Sequence, residues 1–189
     1  MAVGHATSGR LIAVEGTCGP DLAAAAKRLS RGLGDGASGV SAWDASGIFT
    51  ELAAADPQVA RPTTRTLTLL YAADLAFRLR WQIRPALDAG HAVVAAPYVQ
   101  SAMALGSAAG LPTRWLIELF RFAPAPHVCY RVRERRLRSS VQAASGYLEF
   151  FCGAIDAGGD PRQSARLRTR AIDFLDRLER RRRCTPLTA

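Results

Sequence analysis

The stretch Arg10-Leu-Ile-Ala-Val-Glu-Gly-Thr-Cys-Gly19 decides the reading of this chain. A branched apolar run ends at Glu15 and breaks into glycines, and a helix-permissive segment, Leu22–Leu33, follows. A buried strand, a tight loop and a helix in that order place backbone N–H groups around an anion. A phosphate-cradling loop also needs the spacing Gly-x-x-x-x-Gly-Lys-Ser/Thr. Counted from Gly16, the second glycine falls on Asp21, the lysine on Leu22 and the hydroxyl residue on Ala23. The outline of the loop is present and its chemistry is missing.

Working outward, the rest of the chain repeats the alternation of strand and helix. Val40–Trp43 is a short strand candidate, Ile48–Ala55 a helix ending near Pro57, and Thr63–Ala89 the longest helical pattern. In that pattern Leu67, Leu70, Asp74, Phe77 and Trp81 share one face, with Tyr71, Leu75 and Leu79 beside it. Gly90 ends it, and His91–Ala96 is a continuous apolar strand. Val99–Ala109 and Thr113–Phe122 are helices, and His127–Val132 is a further strand running into the basic stretch Arg131–Arg138. Leu148–Ala157 is ambiguous, its ending favouring a last strand, and Gln163–Arg183 is an amphipathic helix with Leu167, Ala171, Phe174 and Leu178 on one face. Strands without polar alternation, separated by helices, predict an α/β three-layer sandwich with a mostly parallel central sheet.

Composition bounds the rest. At 189 residues the expectation is one domain, 1–189, with Met1–Ser8 as a flexible tail. No apolar run reaches membrane-span length, and Met1–Arg10 lacks a secretory h-region. The four cysteines, Cys18, Cys129, Cys152 and Cys184, form no C-x-x-C pair, which argues for reduced thiols, no metal site and a cytoplasmic protein. The net charge of +9 favours anionic partners in general. No aromatics interleave the runs Arg131–Arg138 and Arg177/Arg180–Arg183, so they read as solvated faces and nucleic acid is not the expected partner.

Several segments together resemble the thymidylate kinase family of P-loop nucleoside monophosphate kinases. Leu11–Gly19 looks like its opening strand and phosphate loop, and Thr66–Ala89 resembles a helix whose core reads Leu-Leu-Phe-Ala-Ala-Asp-Arg-Ala. Ile83–Gly90 is similar to Ile-x-Pro-Ala-Leu-x-x-Gly, Ala95–Ser101 sits where the family has Asp-Arg-Tyr-x-x-Ser, and Leu111–Tyr130 resembles the Leu-x-x-x-Trp…Phe-Ala-Pro…Pro-Asp approach to a strand. The resemblance implies a P-loop kinase-like fold and a homodimer through helices such as Thr63–Ala89. It also implies where the departures matter, because phosphoryl transfer is mostly positioning and charge stabilisation. Leu22 stands for the loop lysine, Ala23 for the hydroxyl, Ala96-Pro97-Tyr98 for Asp-Arg-Tyr, and Leu75 for the monophosphate arginine, while Ala102 and Leu105 take polar pocket positions. Asp21 adds a carboxylate to the loop, and two unit charges about 4 Å apart repel by roughly 4 kcal/mol at an effective dielectric near 20. Pro20 removes a donor. The lid region between 133 and 147 is shortened; Arg133, Arg135, Arg136 and Arg138 could stand in for lid arginines, but no lid-like acidic pattern surrounds them.

The expectation is therefore a kinase-like fold without kinase activity, acting as a binding, regulatory or scaffold protein, with no cofactor and with ATP and magnesium bound weakly or not at all. The degenerate loop is Gly16, Thr17, Cys18, Gly19, Pro20, Asp21, Leu22 and Ala23. The candidate cleft is Glu15, Trp43, Asp44, Tyr71, Asp74, Tyr98, Gln100 and Ser101, able to hold a small molecule. At each position a structural role competes. Glu15 can touch a ligand or cap backbone donors, Tyr71 can stack on a base or fill the core, and Asp74 can pair with an arginine. Trp43 can wall the cleft or cover the sheet, and Cys18 is either a reactive thiol or a filler. The second reading is a different enzyme on this fold, acting on a less charged molecule; an active thymidylate kinase is the third.

Overall fold

The computed structural model describes residues 9–17, 19–34, 38–54, 62–133, 161–181 and 185–187. Five strands form one sheet in the order β2-β3-β1-β4-β5, every neighbouring pair parallel. They are β1 (Arg10–Glu15), β2 (Ser38–Ala42), β3 (Ala92–Ala96), β4 (Val128–Val132) and β5 (Thr185–Leu187). Parallel pairing forces a crossover between successive strands, and the crossovers cover both faces with helices. That is why β1 is buried from Leu11 to Glu15 with no alternation.

Successive side chains of each strand enter opposite layers. On one face Ile12, Val14, Val94 and Ala96 pack against Leu22, Ala25 and Ala26 of α1 (Gly19–Gly32). On the other, Leu11, Ala13, Val93 and Ala95 lie beneath three helices, α3 (Thr64–Arg78), α5 (Val99–Ala108) and α7 (Pro161–Arg180). Leu67, Tyr71, Leu75, Ala102, Leu105, Leu167 and Ala171 supply that layer. Shorter helices complete the described chain: α2 (Ile48–Ala54), α4 (Arg84–Asp88) and α6 (Thr113–Leu119). At Gly106 an added methyl would sit 2.8 Å from Leu116 Cδ2, so a larger residue there would require the Leu116 side chain to shift.

The expected three-layer α/β architecture is observed, with differences that have physical causes. The helix after β1 starts at Gly19 rather than Leu22, because Pro20 suits a first helical turn where its missing N–H costs nothing. The expected helix 63–89 is interrupted by a π turn, Leu79–Ile83, where the Arg84 N–H reaches the Leu79 carbonyl; Pro85, the next residue after Arg84, cannot donate to the preceding turn. The buried stripe of α3 is Leu67, Tyr71, Asp74, Leu75 and Arg78, whereas Phe77 and Trp81 face out. A buried arginine is what displaced the expected face. Arg131, expected on a solvated basic run, is also buried on β4.

Cys129 is disulfide-bonded, contrary to the expectation of four reduced thiols; spacing along the chain carries no information about which cysteines meet in space. β5 was not anticipated, being three residues long. The tail 1–8, Cys18, the lid segment beyond Arg133, and the ambiguous 148–157 lie outside the described residues. Among the described residues no helix is long and apolar enough to cross a membrane.

Candidate functional site

In open α/β sheets ligands bind beyond the carboxyl ends of the strands, where the strand order reverses. Here that edge carries Glu15 of β1, Ala96 of β3 and Val132 of β4, with β1 in the middle. The loop of interest runs between Glu15 and Gly19, so only three residues separate β1 from α1. Residues 19–23, which the motif spacing assigned to the loop's second half, are the first turn and a half of the helix instead. Asp21 lies in that first turn, where a carboxylate complements the positive end of the helix.

The space beside Gly16 is filled from three sides. A methyl group built on Gly16 would sit 3.2 Å from Leu22 Cδ2, 3.2 Å from the Val132 carbonyl and 3.5 Å from Arg131 Nη1. Leu22 is 2% exposed and belongs to the α1-side core. Arg131 donates from Nη1 to the Val132 carbonyl, with Nη2 3.8 Å from Asp176 of α7. The Gly16 N–H itself donates to Ser101 Oγ at 3.0 Å. Ala23 is exposed on the helix, and Thr17 is buried at the loop's centre.

Across the edge, Glu15 is wholly buried and accepts four hydrogen bonds. Gln100 N–H donates at 2.9 Å to one oxygen; Tyr98 N–H, Ser101 N–H and Ser101 Oγ donate at 3.2, 2.9 and 2.6 Å to the other. These backbone donors are the first N–H groups of α5, which no residue within the helix can satisfy. Burial pushes the Glu15 carboxyl above its ordinary range, and the donors from Ser101, Gln100 and Tyr98 oppose that rise. Ser101 thus links the carboxylate to the Gly16 N–H.

A second buried group closes the loop after β2 onto α3. Asp74 accepts from Asp44 N–H at 3.0 Å, Ser46 N–H at 2.9 Å and Ser46 Oγ at 2.8 Å. Asp44, with φ 57°, accepts in turn from Phe49 N–H, Thr50 N–H and Thr50 Oγ1, capping α2. Trp43 packs on Phe49, ring centroids 5.0 Å apart. Arg78, one turn beyond Asp74, donates from Nε to Ser41 Oγ and from Nη2 to the Ser41 and Pro97 carbonyls, at 3.0, 2.8 and 2.9 Å. Its Nη1 stands 4.0 Å from Asp74 Oδ2. Tyr71 is fully buried, donates to the Tyr98 carbonyl at 2.6 Å and meets Phe120 edge-on. Tyr98 donates to the Pro124 carbonyl at 2.8 Å. Burial raises both phenols above their ordinary range, so they remain neutral donors.

The structure therefore brings Glu15, Tyr98, Gln100 and Ser101 together with Gly16, and Asp44 together with Asp74. It joins the two groups through Tyr71 and Arg78. Sequence reasoning missed Arg78, Ser41 and the inward turn of Arg131. For Arg78 a signal existed in its i+4 position after Asp74; for Ser41 none did.

No protein-family model matches the chain. Among curated proteins it is similar to the probable thymidylate kinase of Thermococcus kodakarensis, 37% identical over 82 residues, covering 38% of this chain and 40% of that one. It is 42% identical over 67 residues to the probable thymidylate kinase of Thermococcus gammatolerans, covering 35% and 32%. These matches thus span two fifths or less of the relatives' length. Among solved structures, thymidylate kinase from Ehrlichia chaffeensis superposes on 96% of this chain and 87% of its own, with a TM-score of 0.64 at 16% identity. That likeness shows the fold.

Proposed function

Taking as premise that the chain is thymidylate-kinase-like, with that fold over nearly its whole length, we propose that it is a non-catalytic relative that serves as a binding, regulatory or scaffold protein. The observation that carries this reading is the filled space beside Gly16. A nucleotide's phosphates need a loop of free backbone N–H groups and nearby cations. In this chain the loop is three residues long, its first N–H is given to Ser101, and the apolar Leu22 packs where a lysine would reach forward. Glu15, Asp74 and Arg78 tie this edge together through the protein's own donors and acceptors.

The test is a coupled assay with ATP, magnesium and nucleoside monophosphates. Turnover below one-hundredth of an ordinary kinase, which runs at about 1–100 per second, is the expected result; turnover inside that range overturns the proposal. The second reading, another enzyme acting on a less charged molecule, has less support. The carboxylates it would use, Glu15, Asp44 and Asp74, are each engaged by several of the protein's own donors.

A homodimer belongs to the same proposal. Its support is the outer face of α3 and the π turn, where Leu69, Phe77 and Trp81 are 47%, 40% and 65% exposed. Light scattering on the wild type and on Trp81→Glu tests it: a dimer that dissociates in the variant supports it, and a monomeric wild type refutes it. A cytoplasmic location is also proposed, and the Cys129 disulfide weighs against it, since the cytosol keeps thiols reduced.

A further inference from the structure

The helix α7 sorts its charges by face. Its apolar side, Leu167, Ala171 and Leu175, is buried in the layer it shares with α5. Two of its carboxylates are taken up on the flank toward β4. Asp176 stands 3.8 Å from Arg131 Nη2, and Glu179 accepts from Arg133 at 2.8 Å. The solvent side carries Arg166, Arg170, Arg177 and Arg180, with Arg181 in the turn that follows, all exposed. Asp173 is the exposed carboxylate among them. Among the described residues none of these five arginines forms an ion pair with a carboxylate.

The five positions fall on one stripe. At 3.6 residues per turn, their offsets from Arg166 keep them within an arc of about 100°, and at 1.5 Å per residue the stripe is about 22 Å long. Arg166 with Arg170, and Arg177 with Arg181, are like-charge pairs four residues apart, an arrangement that destabilises a helix. A bound polyanion offsets that repulsion. The grouping is invisible in runs of sequence: Arg177 and Arg180–Arg183 read alone as a solvated helix end, and only the helix joins them to Arg166 and Arg170.

We propose that the outer face of α7 binds duplex nucleic acid through its phosphate backbone. A rigid row of guanidinium groups suits a rigid row of phosphates, which arginine grips through paired N–H donors. An anionic bilayer fits less well. A helix lying on a bilayer sinks an apolar face beside its basic one, and the apolar face of α7 is already committed to the core. A single strand also fits less well, because it is held largely by stacking on exposed aromatics. The aromatic of this helix, Phe174, packs half-buried against the core, with the Arg177 guanidinium 5.9 Å from its ring. The stripe uses none of the residues of the β1–α1 edge, so the inference stands whether or not that edge turns over nucleotide.

The test is fluorescence anisotropy of a labelled, random-sequence DNA duplex of about 20 base pairs, titrated with the full chain between about 50 and 200 mM KCl. Micromolar binding at the lower salt is expected, with log K falling against log salt at a slope of about −3 to −4.5, because each neutralised phosphate contributes about −0.9. Replacing Arg170→Gln with Arg177→Gln should flatten the slope by about 2 and weaken binding at the lower salt about tenfold. Arg170→Lys with Arg177→Lys keeps the charge and should keep the slope. Lys27→Gln with Arg31→Gln removes the same charge from the exposed side of α1, on the other face of the sheet, and should leave the slope nearly unchanged. No binding at the lower salt overturns the proposal. So does an α1 pair that flattens the slope as much as the α7 pair, since the overall charge of +9 would then account for the binding. Tighter binding to the single strand, or binding to phosphatidylserine vesicles without binding to the duplex, also overturns it.

Discussion

Two helices start at the same edge of the sheet, and their N-termini are handled in opposite ways. At α5 the orphan N–H groups meet the buried Glu15 carboxylate, which takes three of them and a serine hydroxyl. At α1 the surroundings differ: Leu22 enters the core, and the Val132 carbonyl and Arg131 guanidinium lie close beside Gly16. A helix N-terminus binds phosphate only when the space before it is open to a ligand. One end here meets a buried carboxyl group and the other is crowded by an apolar side chain, so similar backbone geometry carries different chemistry.

The comparison breaks first at Glu15. Replacing it with alanine leaves buried donors unsatisfied and a cavity, at a cost of about 4 kcal/mol and a Tm lower by ~10 °C; calorimetry that finds less than a quarter of this would mean the carboxylate is dispensable. Next is Arg78→Met, which strips Ser41, Pro97 and Asp74 of their common partner. It should cost about 3 kcal/mol by urea unfolding, more than Arg121→Met, whose pair with Glu118 is exposed. A smaller loss, about 2 kcal/mol, is expected for Leu22→Lys, because it places an amine in the α1-side core. That variant should gain no Tm with ATP and magnesium; a clear gain would show that side-chain identity alone had closed the loop.

The smallest effect is a pH dependence. The folded-state pKa of Glu15 is raised by burial, so the native state holds its proton over a window where the unfolded chain has released it. Its contribution to stability is thus full below the ordinary glutamate pKa and declines as pH rises through the folded value. Urea midpoints of wild type and Glu15→Gln should diverge across that window, wild type losing ground as pH rises; parallel profiles would show that the four donors cancel the desolvation.

The apolar half of this molecule was legible in its sequence and the polar half only in part. Continuous runs such as Leu11–Val14 and Val93–Ala96 announce strands covered on both faces, and the helices between them follow. Periodicity misplaced the buried face of α3 because it cannot credit an arginine with burial, and Arg78 is buried only through partners on β2 and beyond β3. The sequence does not separate ligand contact from capping at Glu15, since its donors lie more than eighty residues away. Lengths of loops were similarly hidden. The spacing of the glycines showed that lysine and hydroxyl were missing, and only the structure showed that α1 begins at Gly19 and leaves three residues for the loop.

The proposal at the centre of this account is that the edge between β1 and α1 does not admit polyphosphate. Titration calorimetry of the full chain with ATP and magnesium measures this directly. The account predicts no saturable heat up to millimolar nucleotide. A one-to-one isotherm with a Kd in the micromolar range, lost on blocking the triphosphate, would contradict it.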